Sequence, residues 1–349
     1  MTTIAFLRHL AFCGALALLS AVTVRVMISV GVMDTPEARK AHTTPIPKSG
    51  GVGVVLAFLV GIAILYRFAA FSRVGDPYFR GVILAAAAIA LVALLDDIWD
   101  WPFVVKLAAQ VLAALTAVGT GIYVSEISIP YVGAVDFAWL GIPATLAWIL
   151  FVTNAMNFID GLNGLAGGVA LIAACFLAFI AEQQGGWFGY FAALLLAAGL
   201  VGFLPFNFPR ARIFMGDVGS QFCGFVLAML GVVAGRLDAV PLSLLIVPML
   251  LAGVLFDVAF TLARRALAGR RITQPHRDHL YQIAQRAGVN AGAIALVYWG
   301  FTVFGGICSL AFIAAPSALK PAIAILPALP PLVWAGLVFA RARRGGVAT

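Results

Sequence analysis

Three short stretches hold side chains that apolar packing does not explain. Asp96-Asp97-Ile98-Trp99-Asp100 puts three carboxylates at the end of an apolar run. Asn154-x-x-Asn157-x-x-Asp160-Gly161-Leu162-Asn163-Gly164-Leu165 separates two more such runs, and Phe214-x-Gly216-Asp217-x-Gly219-Ser220 opens another. In hydrocarbon an uncompensated neutral polar group costs roughly 2–7 kcal/mol and a charge costs more, so such groups are paired, wet or functional. Adjacent carboxylates repel unless a cation lies among them. Hard oxygen donors favour Mg²⁺ or Mn²⁺ over Zn²⁺, and Mg²⁺ is typically held by one or two protein carboxylates plus substrate phosphates. On a helix, Asp96 and Asp100 share a face, with Asp97 turned about 100° away. Asp217 sits between glycines where a helix is expected to begin, and free amide hydrogens there suit an anion. A metal-ligating aspartate beside those donors fits a Mg²⁺-pyrophosphate.

Two basic clusters complement the acids. His276-Arg277-Asp278-His279 follows Arg264, Arg265, Arg270 and Arg271. Arginine grips phosphate bidentately. The histidines add little charge at neutral pH and read as hydrogen-bond groups for phosphate or sugar oxygens. The four upstream arginines read as a membrane anchor. His42 and Lys48 belong to a stretch stiffened by Pro45 and Pro47 that ends in Gly50-Gly51, where a helix can start with open amides. Asp257, inside an apolar run, is expected to pair with a basic neighbour rather than to react.

Membrane helices must position these groups. Of the 349 residues, 63% are hydrophobic and 10% charged, and the mean hydropathy is +1.06; a soluble domain carries about 25% charged residues. At about 20 apolar residues per crossing, eleven spans are expected: 4–30, 50–71, 79–95, 103–122, 139–156, 165–182, 187–205, 216–235, 240–262, 291–314 and 320–341. No soluble domain fits between them, so residues 1–349 read as one all-α, multi-pass membrane domain. The first apolar run exceeds the roughly 7–15 residues of a signal-peptide core and is expected to remain as a helix. Cys13, Cys175, Cys223 and Cys308 lack metal-ligand spacing and read as small buried residues. Gly121 to Ala138 alternates apolar and polar residues like a small hairpin.

Eleven crossings place the loops alternately on two sides. The odd-numbered loops and the C-terminus carry Arg39, Lys40, Lys48, Arg210, Arg212, Arg264, Arg265, Arg270, Arg271, Arg277, Arg286, Arg341, Arg343 and Arg344. The even-numbered loops carry mainly Arg67, Arg73, Arg80, Arg236 and Lys320. The positive-inside rule therefore puts the odd loops and the C-terminus in the cytoplasm and the N-terminus in the periplasm. The formal charge of +8 is thereby a topology signal and not a sign of nucleic-acid binding. Every polar cluster falls on the odd side, which implies one cytoplasmic site built from five loops.

In this order the clusters resemble the polyprenyl-phosphate N-acetylhexosamine-1-phosphate transferases. That family includes the initiators of O-antigen, enterobacterial common antigen and teichoic acid linkage units, and the phospho-N-acetylmuramoyl-pentapeptide translocase. The likeness runs from about Asp34 to Tyr281 and rests on Asp96-Asp97, the Asn154 to Leu165 motif and the Phe214 to Ser220 motif. It implies Mg²⁺- or Mn²⁺-dependent transfer of a sugar-1-phosphate from a UDP-N-acetylhexosamine to undecaprenyl phosphate, releasing UMP. The implied setting is the bacterial cytoplasmic (inner) membrane and cell-envelope glycan synthesis, with a homodimer as one form of the enzyme.

Position by position, the resemblance implies Asp217 as the metal ligand with Asn157 beside it, and Asp96 and Asp97 as the catalytic pair. It implies Asn154, Asp160, Gly161, Leu162 and Asn163 as the nucleotide loop, Phe214 as the ring beneath uracil and Lys48 as a further nucleotide contact. His276, Arg277 and His279 are implied sugar or phosphate contacts. Many members carry Asp at the place of Asn163 and another His near Tyr281. The form His276 to Gln282 is closer to O-antigen initiators related to N-acetylfucosamine and N-acetylquinovosamine transfer. In such chemistry an anion must reach an anion, and positioning and electrostatics carry the catalysis; direct in-line attack is expected over an aspartyl-phosphate on Asp97. An ion-coupled transporter is the competing class. It is disfavoured because transporters hold such groups near the midplane of internal repeats, whereas here they cluster at one surface.

Overall fold

The computed structural model describes residues 3–34, 45–69, 72, 74–129, 133–234, 243–271 and 276–347. His42 and Arg39 lie outside these residues. In hydrocarbon a backbone can satisfy its own N–H and C=O groups only by closing as a helix or a barrel, and this chain closes as helices. In order they are α1 (Thr3–Val30), α2 (Gly51–Phe68), α3 (Pro77–Trp99), α4 (Phe103–Gly119), α5 (Gly141–Phe158), α6 (Leu165–Gln184), α7 (Trp187–Asn207) and α8 (Gly216–Ala234). They continue as α9 (Ile246–Leu250), α10 (Ala252–Leu267), α11 (Leu280–Arg286), α12 (Ala291–Ala314), α13 (Lys320–Ile325) and α14 (Leu329–Arg344). Two antiparallel pairs interrupt them: β1 (Met33–Asp34) with β2 (Ile46–Pro47), and β3 (Glu126–Ile129) with β4 (Gly133–Asp136). The second pair is the hairpin expected from alternation between Gly121 and Ala138.

Among the described residues, nine helical stretches are long and apolar enough to cross a membrane. Two of the eleven expected spans are not among them. The run expected over 103–122 ends as a helix at Gly119, with Gly121 at φ +92 just beyond. The run expected over 240–262 is broken at Leu251 between α9 and α10, and α10 continues to Leu267. The backbone at Met249 and Leu250 there lies against Gly305 of α12, so packing against a neighbour overrides local apolarity.

The bundle is organised around α8. Every residue from Val218 to Ala234 is buried, and the helix packs against α2, α3, α5, α6, α7 and α9. Close approach to α2 requires glycine: a Cβ added at Gly51 would fall on the backbone of Gly219. The start of α2 is thereby locked to the first turn of α8. Cys223 and Cys308 are buried as expected, but Cys175 is exposed and Cys13 half-buried, and all four are free. A residue on the outer face of a membrane helix needs only to be apolar, and the small thiol meets that condition.

Candidate active site

The site begins at the N-terminus of α8. The first amides of a helix have no partner inside it, and two of them find one in Asp97. The backbone N–H of Asp217 donates to Asp97 Oδ1 at 3.1 Å and that of Val218 to Oδ2 at 3.3 Å. Ser49 Oγ donates to Oδ2 at 3.1 Å, and Lys48 Nζ stands 3.9 Å from Oδ1. A strap carries Lys48 and Ser49 to this point: Phe214 N–H donates to Pro47 O, Gly50 N–H to Phe214 O and Gly51 N–H to Met215 O, at 2.8–2.9 Å. Gly216, at φ +74, admits no side chain there, since a Cβ would press on Asp97 Oδ2 and Ser49.

Asp96 and Asp97 lie within the last turn of α3, not in a loop after it. Asp100 leaves the helix at φ +51, so the face that Asp96 and Asp100 were expected to share is lost.

One residue absent from the sequence expectations ties the acids together. Lys106 Nζ, from the first turn of α4, lies 2.7 Å from Asp96 Oδ2 and 3.5 Å from Asp217 Oδ2. Asp96 also accepts from Trp101 N–H at 2.9 Å. From Asp217 a chain of side-chain hydrogen bonds crosses the bundle. Gln221 Nε2 donates to Asp217 Oδ2 at 3.0 Å, Gln110 Nε2 to Gln221 Oε1 at 2.9 Å and Asn154 Nδ2 to Gln110 Oε1 at 2.7 Å. The available signal was the spacing of Lys106 and Gln110, four apart on one face of an otherwise apolar helix. Asn154 and Asn157 both belong to the last turns of α5.

The loop from Ile159 to Gly164 follows α5. Asp160 is half-buried; burial first, then the charges of Asp217, Asp97 and Asp34, hold its carboxyl well above the usual range. Gly161 lies against the Tyr281 hydroxyl, which donates to Phe158 O at 2.9 Å. Tyr281 is therefore a strut under this loop. Leu162 is 6% exposed, so its side chain is a core plug and not the nucleotide contact expected of it. Asn163 Nδ2 donates to Pro209 O at 3.3 Å. Phe214 is half-buried beside the strap.

His276, Arg277 and His279 come from the segment before α11. Burial, then His279 and Arg265, push the His276 imidazole down to about 4, so it is neutral at physiological pH. Its Nδ1 accepts from Asp278 N–H at 3.3 Å. Of the four arginines expected as a surface anchor, Arg265 is instead buried and pairs with Asp278, while Arg264 donates to Asp278 O at 2.8 Å. Burial alone would raise the Asp278 carboxyl, but Arg265 holds it below its ordinary value. These two shape the loop; Arg270 and Arg271 remain exposed. Asp257 pairs with His279, as expected, with its Oδ1 3.2 Å from Nδ1.

The donor set suits a hard divalent cation that is shared with a ligand. Among the described residues no group of three or more Asp, Glu, His or Cys forms a ready cage, but Mg²⁺ does not require one. Asp217 is 28% exposed, against 4% for Asp96 and 3% for Asp97, so its carboxylate is the one a ligand can reach. Asn157 directs its amide nitrogen at Asp217 Oδ1 and Ser220 Oγ, both at 3.0 Å. Offering its oxygen to a cation requires a 180° turn of the amide.

Comparison with known proteins supplies the family. Residues 79–235, which include Asp96, Asp97, Lys106, the α5 asparagines and Asp217, match the family described as Glycosyl transferase family 4. The chain is 30% identical to a probable undecaprenyl-phosphate N-acetylglucosaminyl 1-phosphate transferase of Bacillus subtilis, over 84% of this chain and 80% of the relative. It is 33% identical to the decaprenyl-phosphate N-acetylglucosaminephosphotransferase of Mycobacterium tuberculosis, over 88% of this chain and 84% of the relative. It is also 30% identical to a phospho-N-acetylmuramoyl-pentapeptide-transferase of Acetivibrio thermocellus, over 78% and 82%. Identity of this extent over most of both chains makes this protein a member of the polyprenyl-phosphate N-acetylhexosamine-1-phosphate transferase family.

Proposed function

We propose that the protein transfers an N-acetylhexosamine-1-phosphate from a UDP-sugar to undecaprenyl phosphate at the cytoplasmic face of a bacterial inner membrane, as the first step of a cell-envelope glycan such as O-antigen. The observation that carries this reading is the convergence of Asp96, Asp97, Lys106, Asn157 and Asp217, from four helices, at one end of the bundle. The relatives are named for N-acetylglucosamine phosphate transfer to polyprenyl phosphates, so UDP-N-acetylglucosamine is the first donor to test.

A phosphate oxygen of the lipid attacks the β-phosphorus of the UDP-sugar. The bond from that phosphorus to the bridging oxygen breaks, and UMP leaves with the oxygen. Asp217 and Asn157 would hold Mg²⁺, which supplies charge neutralisation at the diphosphate. Lys106 balances the charge of Asp96 and Asp217. Arg277 and His279 orient sugar or phosphate oxygens, and Asp160, Gly161 and Asn163 face the nucleotide with Phe214 and Lys48. Two backbone amides and the Ser49 hydroxyl, with Lys48 nearby, already engage Asp97. This supports a role in positioning α8 and Asp217, and therefore direct in-line attack over an aspartyl-phosphate.

The test is purified protein in detergent with undecaprenyl phosphate, Mg²⁺ and a panel of UDP-N-acetylhexosamines, followed by UMP release. UMP with a matching lipid diphosphate is expected from one donor. Folded protein that releases no UMP across the panel would overturn the reading.

A further inference from the structure

We infer that Asp257 is a positioning residue for the transfer, holding the His279 imidazole in one tautomer and pinning α11 under the loop from Ile159 to Gly164. The inference rests on the transferase reading and on His279 as a sugar or phosphate contact. Asp257 is wholly buried. Its Oδ1 accepts from Leu280 N–H at 2.8 Å and from Thr261 Oγ1 at 3.2 Å. Its Oδ2 accepts from Tyr281 N–H at 3.2 Å and from the Tyr298 hydroxyl. Both oxygens therefore serve backbone donors. The ring nitrogen 3.2 Å from Oδ1, Nδ1 of His279, must then carry its proton, which leaves Nε2 as the nitrogen available to a ligand.

The same carboxylate reaches further through Tyr281. That residue is bonded at its N–H to Asp257, and its hydroxyl donates to Phe158 O at 2.9 Å and lies against Gly161. The rings of His279 and Tyr281 stack at 6.0 Å and 17°, and His279 lies 5.7 Å from the Phe158 ring. One buried group in α10 thus sets the place of His279, itself 4% exposed and proposed as a sugar or phosphate contact, and of the loop proposed to hold the nucleotide.

Two measurements test this on the full chain. The first is ¹⁵N NMR of histidine-labelled protein, with the His279 signal identified by its loss in His279→Gln; a proton on Nδ1 is expected. It is read on the unmodified chain, so it decides even if an Asp257 variant does not fold. The second compares kcat and KM for the UDP-sugar in Asp257→Asn, His279→Gln and the double variant. Partners that orient a metal-ligating histidine typically contribute about 10- to 100-fold, and a loss of that order is taken as the expectation for Asp257→Asn, with a loss in the double variant smaller than the two single losses combined, because only the part that runs through His279 is shared. A bare Nδ1 in active enzyme, or losses that add in the double variant, would overturn the inference and leave Asp257 a plain helix cap. Absence of transfer by the unmodified chain would instead overturn the parent reading.

Discussion

Lys106 is the cation that makes two close carboxylates tolerable before any ligand arrives, since like charges in a low-dielectric pocket disfavour one another's ionised forms. Lys106→Gln is expected to cost about 2 kcal/mol of stability, the scale of a hydrogen bond to a charged group. Added Mg²⁺ should restore part of it, because a divalent cation held at Asp217 would supply positive charge in place of the lost ammonium. Thermal melts in detergent with and without Mg²⁺ check this, and equal melts with and without the metal would count against cation binding there. His276 gives a pH signature. Its folded value of about 4 lies below its ordinary 6.5, so the unfolded chain takes up a proton that the folded chain resists. The stability penalty is absent above that ordinary value and grows as pH falls toward 4. His276→Gln should flatten the fall in melting temperature across that window and leave the melting temperature at higher pH little changed.

At the scale of elements, the joint between α2 and α8 decides the site. The strap from Pro47 to Gly51 is hydrogen-bonded to Phe214 and Met215, and the two helices touch through Gly51 and Gly219. A methyl group at Gly51 must push the helices apart and drag Lys48 and Ser49 from Asp97. Gly51→Ala is expected to cost about 1–3 kcal/mol, the range for overpacking a tight core, and to lower activity more than its loss of stability alone explains. Melting temperature and UMP release on the same preparation separate the two effects. Helix ends were less legible than helix existence. Asp96 and Asp97 of α3 and Asn157 of α5 sit inside helices that read as ending sooner, because a polar or charged side chain at the water boundary does not by itself stop a helix.

At the scale of the molecule, two predictions concern the whole assembly. EDTA should stop UMP release and Mg²⁺ or Mn²⁺ should restore it; undiminished transfer in chelator would remove the metal from the proposal. In a cysteine-free background, Arg271→Cys should react with a membrane-impermeant thiol reagent only from the cytoplasmic side, and labelling from outside would reverse the topology read from the arginines. The sequence by itself determined the membrane class, most of the crossing helices, the hairpin after α4 and the polar clusters, because apolar length and unpaired polar groups in hydrocarbon are local properties. The motif residues Asp96, Asp97, Asn157 and Asp217 were legible for the same reason. Tertiary structure alone decided that Asp97 caps α8, that Lys106 and Gln110 join the site from a helix read as plain span, and that Arg265 is a buried strut rather than an anchor. It also decided that the ninth expected span breaks at Leu251 and that Asp257 holds His279. Each of these depends on which distant helix supplies the partner for a buried donor or charge, and no local pattern of residues encodes that choice.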